Sequence, residues 1–222
     1  YVTATPWTEE EVLENEFALI GYFVSGHPLD HYRQECERFA SHNTSALIHL
    51  PDERKRITVT LCGFLKSTSV RTTKSGSKMA SGLLEDLYGQ VSFVCFEKTL
   101  MRIGPEKFAY QAPVILTGSV KIEGEEDARK VEIFVDNIEL VSDARQRAFA
   151  NVQFIIEQSH SLEDIQKLHT LILNHPGRAQ CYLKFRYEDV DADMKIPFQV
   201  ALTDDFLKKV DLILGLESYV MK

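Results

Sequence analysis

The sequence has no Cys-x-x-Cys pair. Its four cysteines, Cys36, Cys62, Cys95 and Cys181, are scattered along 222 residues. That spacing argues against a zinc ribbon or a thioredoxin-like redox motif, and reduced thiols in a cytoplasmic protein are expected. No apolar run approaches the ~20 residues that span a bilayer, and no signal peptide is visible, so no membrane partner is expected. Gly-x-Ser-x-Gly, P-loop and Rossmann glycine patterns are all missing, which removes the enzyme classes built on them. There is no initiating methionine either. The first residue is Tyr1, so a fragment of a longer chain is expected, with any upstream activity out of sight.

Apolar residues make up 44% of the chain, enough to build a core. The net charge of -8 is unevenly spread. It is -7 over residues 1–54, +1 over residues 55–141 and -2 over residues 142–222, so three regions differ in electrostatic character. In the first region, Thr8 and Glu11 have capping-box spacing, and Leu13, Phe17, Ile20 and Val24 recur at helical intervals. Ser25-Gly26 ends that helix, and Pro28 suits the first position of a second one carrying Leu29, Tyr32 and Phe39. His27, Asp30 and His31 invite a metal reading, but Pro28 takes His27 off the helix face that a His-x-x-x-His pair requires. A structural corner between two helices is expected.

From residue 55 the period changes to two. Ile57, Val59, Leu61, Gly63 and Leu65 alternate with Thr58, Thr60, Cys62 and Phe64, which predicts a strand. A loop is expected over residues 68–78. Two strands then turn near Tyr88-Gly89, and a short helix follows over Glu97 to Ile103. Two more strands, residues 114–124 and 129–141, flank an acidic tip at residues 124–127. Five strands with a helix between the third and fourth is the order of an OB barrel.

After residue 150 a strand, a helix capped by Ser161 with Asp164 three positions on, two strands and a last helix from Thr203 to Gly215 predict a small β-α-β-β-α unit. The chain is therefore expected to be an α+β multidomain protein. It divides into a helical segment (1–54), an OB-fold domain (55–142) and a C-terminal α+β domain (150–222).

GYFVSGHPLDHY (21–32), KSGSKMASGLLEDLYGQVSFVCF (74–96) and the closing β-α-β-β-α unit occur in one order. Together they resemble the C-terminal region of the bacterial replicative DNA polymerase III alpha subunit, over nearly the whole chain. The resemblance implies that the polymerase site, a nucleotidyltransferase needing Mg²⁺, lies outside this non-catalytic fragment. Related barrels tend to carry a bulky apolar residue where this chain has Ser81-Gly82, so a looser second strand is expected there. The resemblance further implies that the barrel contacts single-stranded template DNA, that the tail domain docks on the tau subunit of the clamp loader, and that both act with the rest of the polymerase chain. An OB domain that binds transfer RNA and a pure protein-interaction module are the alternatives.

Lys66, Arg71, Lys74 and Lys78 fall in a span without acids, between the first two strands, where OB folds meet oligonucleotides. Phe64, Tyr88, Phe93 and Phe96 are the stacking candidates on the sheet face. Phe93 and Phe96 fall on opposite faces of one strand, so at least one of them belongs to the core. Glu123, Glu125, Glu126 and Asp127 would repel a phosphate backbone at the other tip. The acidic run 188–193 is spaced like a two-metal site but is expected to be a solvated connection between two strands. Phe206, Leu207, Val210 and Leu214 form an apolar stripe, and with Tyr219 near the end they are the candidates for partner binding.

Overall fold

Period-two alternation from Ile57 produces the longest element among the described residues, strand β1 (Ile57–Thr72). The computed structural model describes residues 27–51, 56–74, 76–124, 129–187 and 190–222. Two compact units emerge, one reaching Ile138 and the other beginning at Glu139. The helix expected over residues 8–24 lies outside the described residues.

In the first unit β1 is joined by β2 (Lys78–Asp86), β3 (Gly89–Phe96), β4 (Val114–Glu123) and β5 (Lys130–Leu140). They close in the order β1-β2-β3-β5-β4, with β3 and β5 parallel. This is the OB barrel. Its first strand serves two neighbours: residues 57–63 pair with β4 and residues 64–72 with β2. Gly63 sits at the changeover, where a Cβ would lie 2.3 Å from the carbonyl oxygen of Glu85, so only glycine lets the backbones cross that closely.

Sequence reading ended β1 too early. The chain keeps pairing with β2 through residues 69–72, after an irregularity between Lys66 and Ser69 where Ser67 has a φ of 49°. The bulge interrupts the alternation without ending the strand, and the loop shrinks to residues 73–77. The second strand is not loose at Ser81-Gly82 either: it pairs with β3 without a break from Met79 to Asp86. Gly82 is small because space is short there. A Cβ would meet Phe93 at 2.9 Å and the Lys66 carbonyl oxygen at 3.0 Å. Leu61, Leu84, Phe93, Leu116 and Ile133 fill the interior. Helix α1 (Arg33–Phe39) belongs to the corner that packs on β1, and α2 (Glu97–Ile103) falls where the sequence put it.

Pro28 does not start an α-helix. Residues 28 and 29 form a turn, a 3-10 turn follows at Asp30–Tyr32, and only then does α1 begin. Side chains hold the turn: His27 N–H donates to Asp30 Oδ2 (2.7 Å), and Leu29 N–H donates to His27 Nδ1 (3.0 Å). Such local bonds compete with helical ones. His27 and Asp30 thus shape the corner.

The second unit starts with α3 (Val141–Ala148). Strand β6 (Asn151–Glu157) follows, then α4 (Leu162–Asn174), β7 (Pro176–Tyr187), β8 (Val190–Val200), α5 (Asp204–Leu214) and β9 (Tyr219–Met221). The sheet order is β8-β7-β6-β9. The Ser161–Asp164 capping box is present at α4. Arg145 is fully buried and bonds Asp204 Oδ1 (2.6 Å) and the Leu202 carbonyl (3.2 Å).

Two expectations change here. The acidic residues Asp191 and Asp193 lie inside β8 rather than between strands. Lys184 Nζ reaches Asp191 (2.9 Å), and Gln153 donates to Asp193 (2.8 Å), so cross-strand partners take both carboxylates. Strand β9 is an addition that pairs antiparallel with β6.

Candidate nucleic-acid interface

The pairing register of the barrel lays four rows across its outer wall. Phe64, Glu85 and Gln90 form the first, and Lys66, Leu83, Ser92 and Glu132 the second. Ser69, Ser81, Val94 and Phe134 form the third, and Arg71, Met79 and Phe96 the fourth. Their neighbours in sequence, Ala80, Leu84, Val91, Phe93, Cys95 and Ile133, are buried inside. Phe93 is therefore core. Phe96 is 54% exposed and meets Phe134 edge-on, with ring centroids 5.3 Å apart. Cations flank this pair and Phe64. Lys121 Nζ stands 5.6 Å from the Phe134 ring centre, and Lys66 Nζ 5.9 Å from that of Phe64. These are cation–π distances.

The basic residues fall in different places from those expected. Lys66 and Arg71 are strand residues of β1, and Lys78 opens β2, where its backbone N–H donates to Glu97 Oε1 (3.1 Å). Lys74 alone stands in the turn, which Thr73 N–H closes onto the Ser77 carbonyl (2.8 Å). Arg71, Lys74 and Lys78 are exposed together at this end of the hairpin.

Tyr88 does not join them. It is exposed at the far end of β2, roughly 25–30 Å away at ~3.3 Å per strand residue. There it borders a groove of about 510 Å³, together with Arg33, Cys36, His42, Cys62 and Asp86. Asp86 organises that end. Its carboxylate accepts from Thr44 N–H (2.7 Å), Thr44 hydroxyl (2.6 Å), Tyr88 N–H (2.8 Å) and Gly89 N–H (3.1 Å). Thr44 begins the 3-10 turn Thr44–His49 of the helical corner, so Asp86 ties the corner to the β2–β3 turn. Beside it, Glu85 accepts from Gln90 (2.7 Å) and faces His27 Nε2 at 3.8 Å. Burial pushes the His27 imidazole below its ordinary 6.5 despite the neighbouring carboxylates of Glu85 and Asp30.

At the acidic tip, Glu123 is bonded to Lys121 at 2.6 Å, which lowers the pKa of the carboxyl and raises that of the amine. Glu125, Glu126 and Asp127 lie outside the described residues. Phe134 and Lys121 are the members of this surface that sequence reasoning missed. Alternation in β5, with Ile133 and Val135 inward, was the signal that puts Phe134 outside.

The partner stripe of the tail is core. Phe206 and Val210 are fully buried, and Leu207, Leu214 and Tyr219 nearly so. Phe206 packs on Phe154 of β6 with centroids 6.1 Å apart. The large apolar side chains of this region that face solvent are Leu212, Leu216 and Val220.

No protein-family model matches the chain. Its curated relatives are DNA polymerase III alpha subunits. That of Treponema pallidum is 35% identical over 153 residues, 69% of this chain and 12% of the relative. That of Borreliella burgdorferi is 29% identical over 201 residues, 88% and 17%. That of Neisseria meningitidis is 26% identical over 220 residues, 98% and 18%. The chain thus spans less than a fifth of the length of these relatives. Solved structures similar to it include the SSB domain of a Synechococcus protein (12% identity, TM-score 0.31, 40% of this chain and 99% of that one). Another is the N-terminal domain of PriB from Thermoanaerobacter tencongensis (16%, TM-score 0.28, 37% and 92%). At these scores the strand order itself remains the ground for the fold. Over most of its length the chain is a homologue of bacterial DNA polymerase III alpha subunits, of which it covers a small part.

Proposed function

We propose that this chain is a non-catalytic, C-terminal part of a replicative polymerase alpha subunit, and that its barrel holds single-stranded template DNA against the outer wall of β1, β2, β3 and β5. The observation that carries this is the pair Phe96–Phe134, with Phe96 exposed and Phe134 half-buried, beside the cations of β1 and the β1–β2 hairpin. Bases stack on such rings without regard to sequence, at about 1–3 kcal/mol per base, while Lys66, Arg71, Lys74 and Lys78 neutralise phosphates. The strand runs from the β1–β2 hairpin across the aromatic pair. The polymerase chemistry with its Mg²⁺, and a cytoplasmic setting, belong to the parent protein in this reading. Docking on the tau subunit belongs to the second unit and uses Leu212, Leu216 and Val220 rather than the buried stripe.

Fluorescence anisotropy of a labelled oligothymidine tests the barrel reading. Lys74→Glu/Lys78→Glu is expected to weaken binding more than tenfold at low salt. Phe96→Ala/Phe134→Ala is expected to weaken it by about 1–3 kcal/mol with little change in salt dependence. Met79, Leu83 and Val94 on the same wall favour a second reading, a protein-docking face. Absence of binding by the native chain even at low salt would select it.

A further inference from the structure

Cys36 of α1 and Cys62 of β1 are 26 positions apart in sequence, yet their sulfur atoms stand 2.8 Å apart. We propose that they form a dithiol–disulfide pair, opened and closed by exchange with a small-molecule disulfide, which covalently joins the helical corner to the barrel wall. The sulfurs need to approach by less than about 1 Å to reach the ~2.05 Å of a disulfide bond. Both cysteines line the 510 Å³ groove beside Tyr88 and Arg33, so a peptide-sized reagent has a route to them. Cys95 and Cys181 are different. Both are buried, their sulfurs bond backbone carbonyls, and burial pushes their thiols up to about 11 and about 12.

The two sulfurs have distinct roles. Cys36 is only partly buried, whereas Cys62 is 4% exposed. The hydrogen bond with Cys36, then burial, then the nearby carboxylates of Glu35 and Asp86 push the Cys62 thiol far up, so it stays protonated and does not begin the exchange. Cys36, the more accessible of the two sulfurs, therefore attacks first. It displaces one thiolate from the small disulfide and forms a mixed disulfide. Cys62 then gives up its proton and attacks Cys36 Sγ, expelling the second thiolate. The pair loses two electrons and two protons, which end as two small-molecule thiols. The bridge fixes α1 to β1 two residues before Phe64, at the edge of the proposed DNA wall.

The test is incubation of the folded chain with oxidised glutathione, followed by acid quenching, alkylation and tryptic mapping. The expected product is lighter by two hydrogens. It carries peptide Gln34–Arg38 linked to Ile57–Lys66, with Cys95 and Cys181 alkylated. Cys62→Ser is expected to trap glutathione on Cys36, and Cys36→Ser to give no adduct on Cys62. A stable glutathione adduct on Cys36 of the native chain, without the linked peptide, would overturn the proposal. So would four alkylated thiols under conditions that oxidise the urea-unfolded chain. The readout on the native chain needs no variant, so misfolding of a mutant cannot decide it.

Discussion

Asp86 shows how much one carboxylate carries in this fold. Four donors converge on it, and two come from a segment 42 positions earlier in sequence. Asp86→Ala leaves buried N–H groups and a hydroxyl without an acceptor, and each such loss costs about 1–3 kcal/mol. A loss of about 3 kcal/mol or more in urea denaturation is expected, with Asp86→Asn intermediate. An unchanged midpoint would mean that the corner is not held through this residue. His27 is the second residue of interest at this end. Its folded pKa is lowered, so between that value and 6.5 the unfolded chain binds more protons than the folded one. The stability contributed by neutral His27 is therefore present above 6.5 and lost as the pH falls through that window. Native protein is expected to lose more stability than His27→Gln between about pH 7.5 and about pH 5.5. Equal losses in the two proteins would remove His27 from the account.

Strand β9 changes what the end of the chain means. As sequence, Tyr219, Val220 and Met221 are an apolar tail, and such a tail is easily read as a docking site. As structure, the backbone pairs with β6, Tyr219 and Met221 turn into the core, and Val220 faces out. Tyr219→Ala is expected to cost about 3 kcal/mol, the usual loss for a buried aromatic, in denaturation of the isolated chain. A stable variant would restore Tyr219 as a surface residue. The misreading has a physical cause. Three residues are too few for alternation to declare a strand, and the partner strand lies more than 60 positions earlier. The same limit explains the other misses. Local patterns gave β2, β3, α2, the Ser161 box and the barrel order. They did not give the full length of β1, because Ser67 breaks the period while the pairing continues. They did not bring Phe134 beside Phe96, because that contact depends on the parallel register of β3 and β5. The stripe on α5 was legible as amphipathic, but amphipathicity cannot say whether the apolar side meets its own sheet or a partner.

At the scale of the whole molecule the question is how, in the proposed reading, an acidic chain would hold DNA. The net charge is -8, and the barrel region contributes only +1, so no long-range field draws a strand in. Binding must rest on local contacts, and the wall supplies Lys66, Arg71, Lys74 and Lys78, with Lys121 already bonded to Glu123. Four phosphate contacts on a single strand give a slope of log affinity against log salt of about -3, at ~0.7 per contact. Stacking on Phe96 and Phe134 adds affinity that salt leaves in place. The expectation is moderate affinity with a slope between about -2 and about -3 in a potassium chloride titration, falling by roughly half in Lys74→Glu/Lys78→Glu. A slope near zero would mean the cations do not touch the strand, and the aromatic wall would then be read as a protein face. A slope steeper than about -5 would require more cations than the wall carries, and the path of the strand would have to leave the barrel.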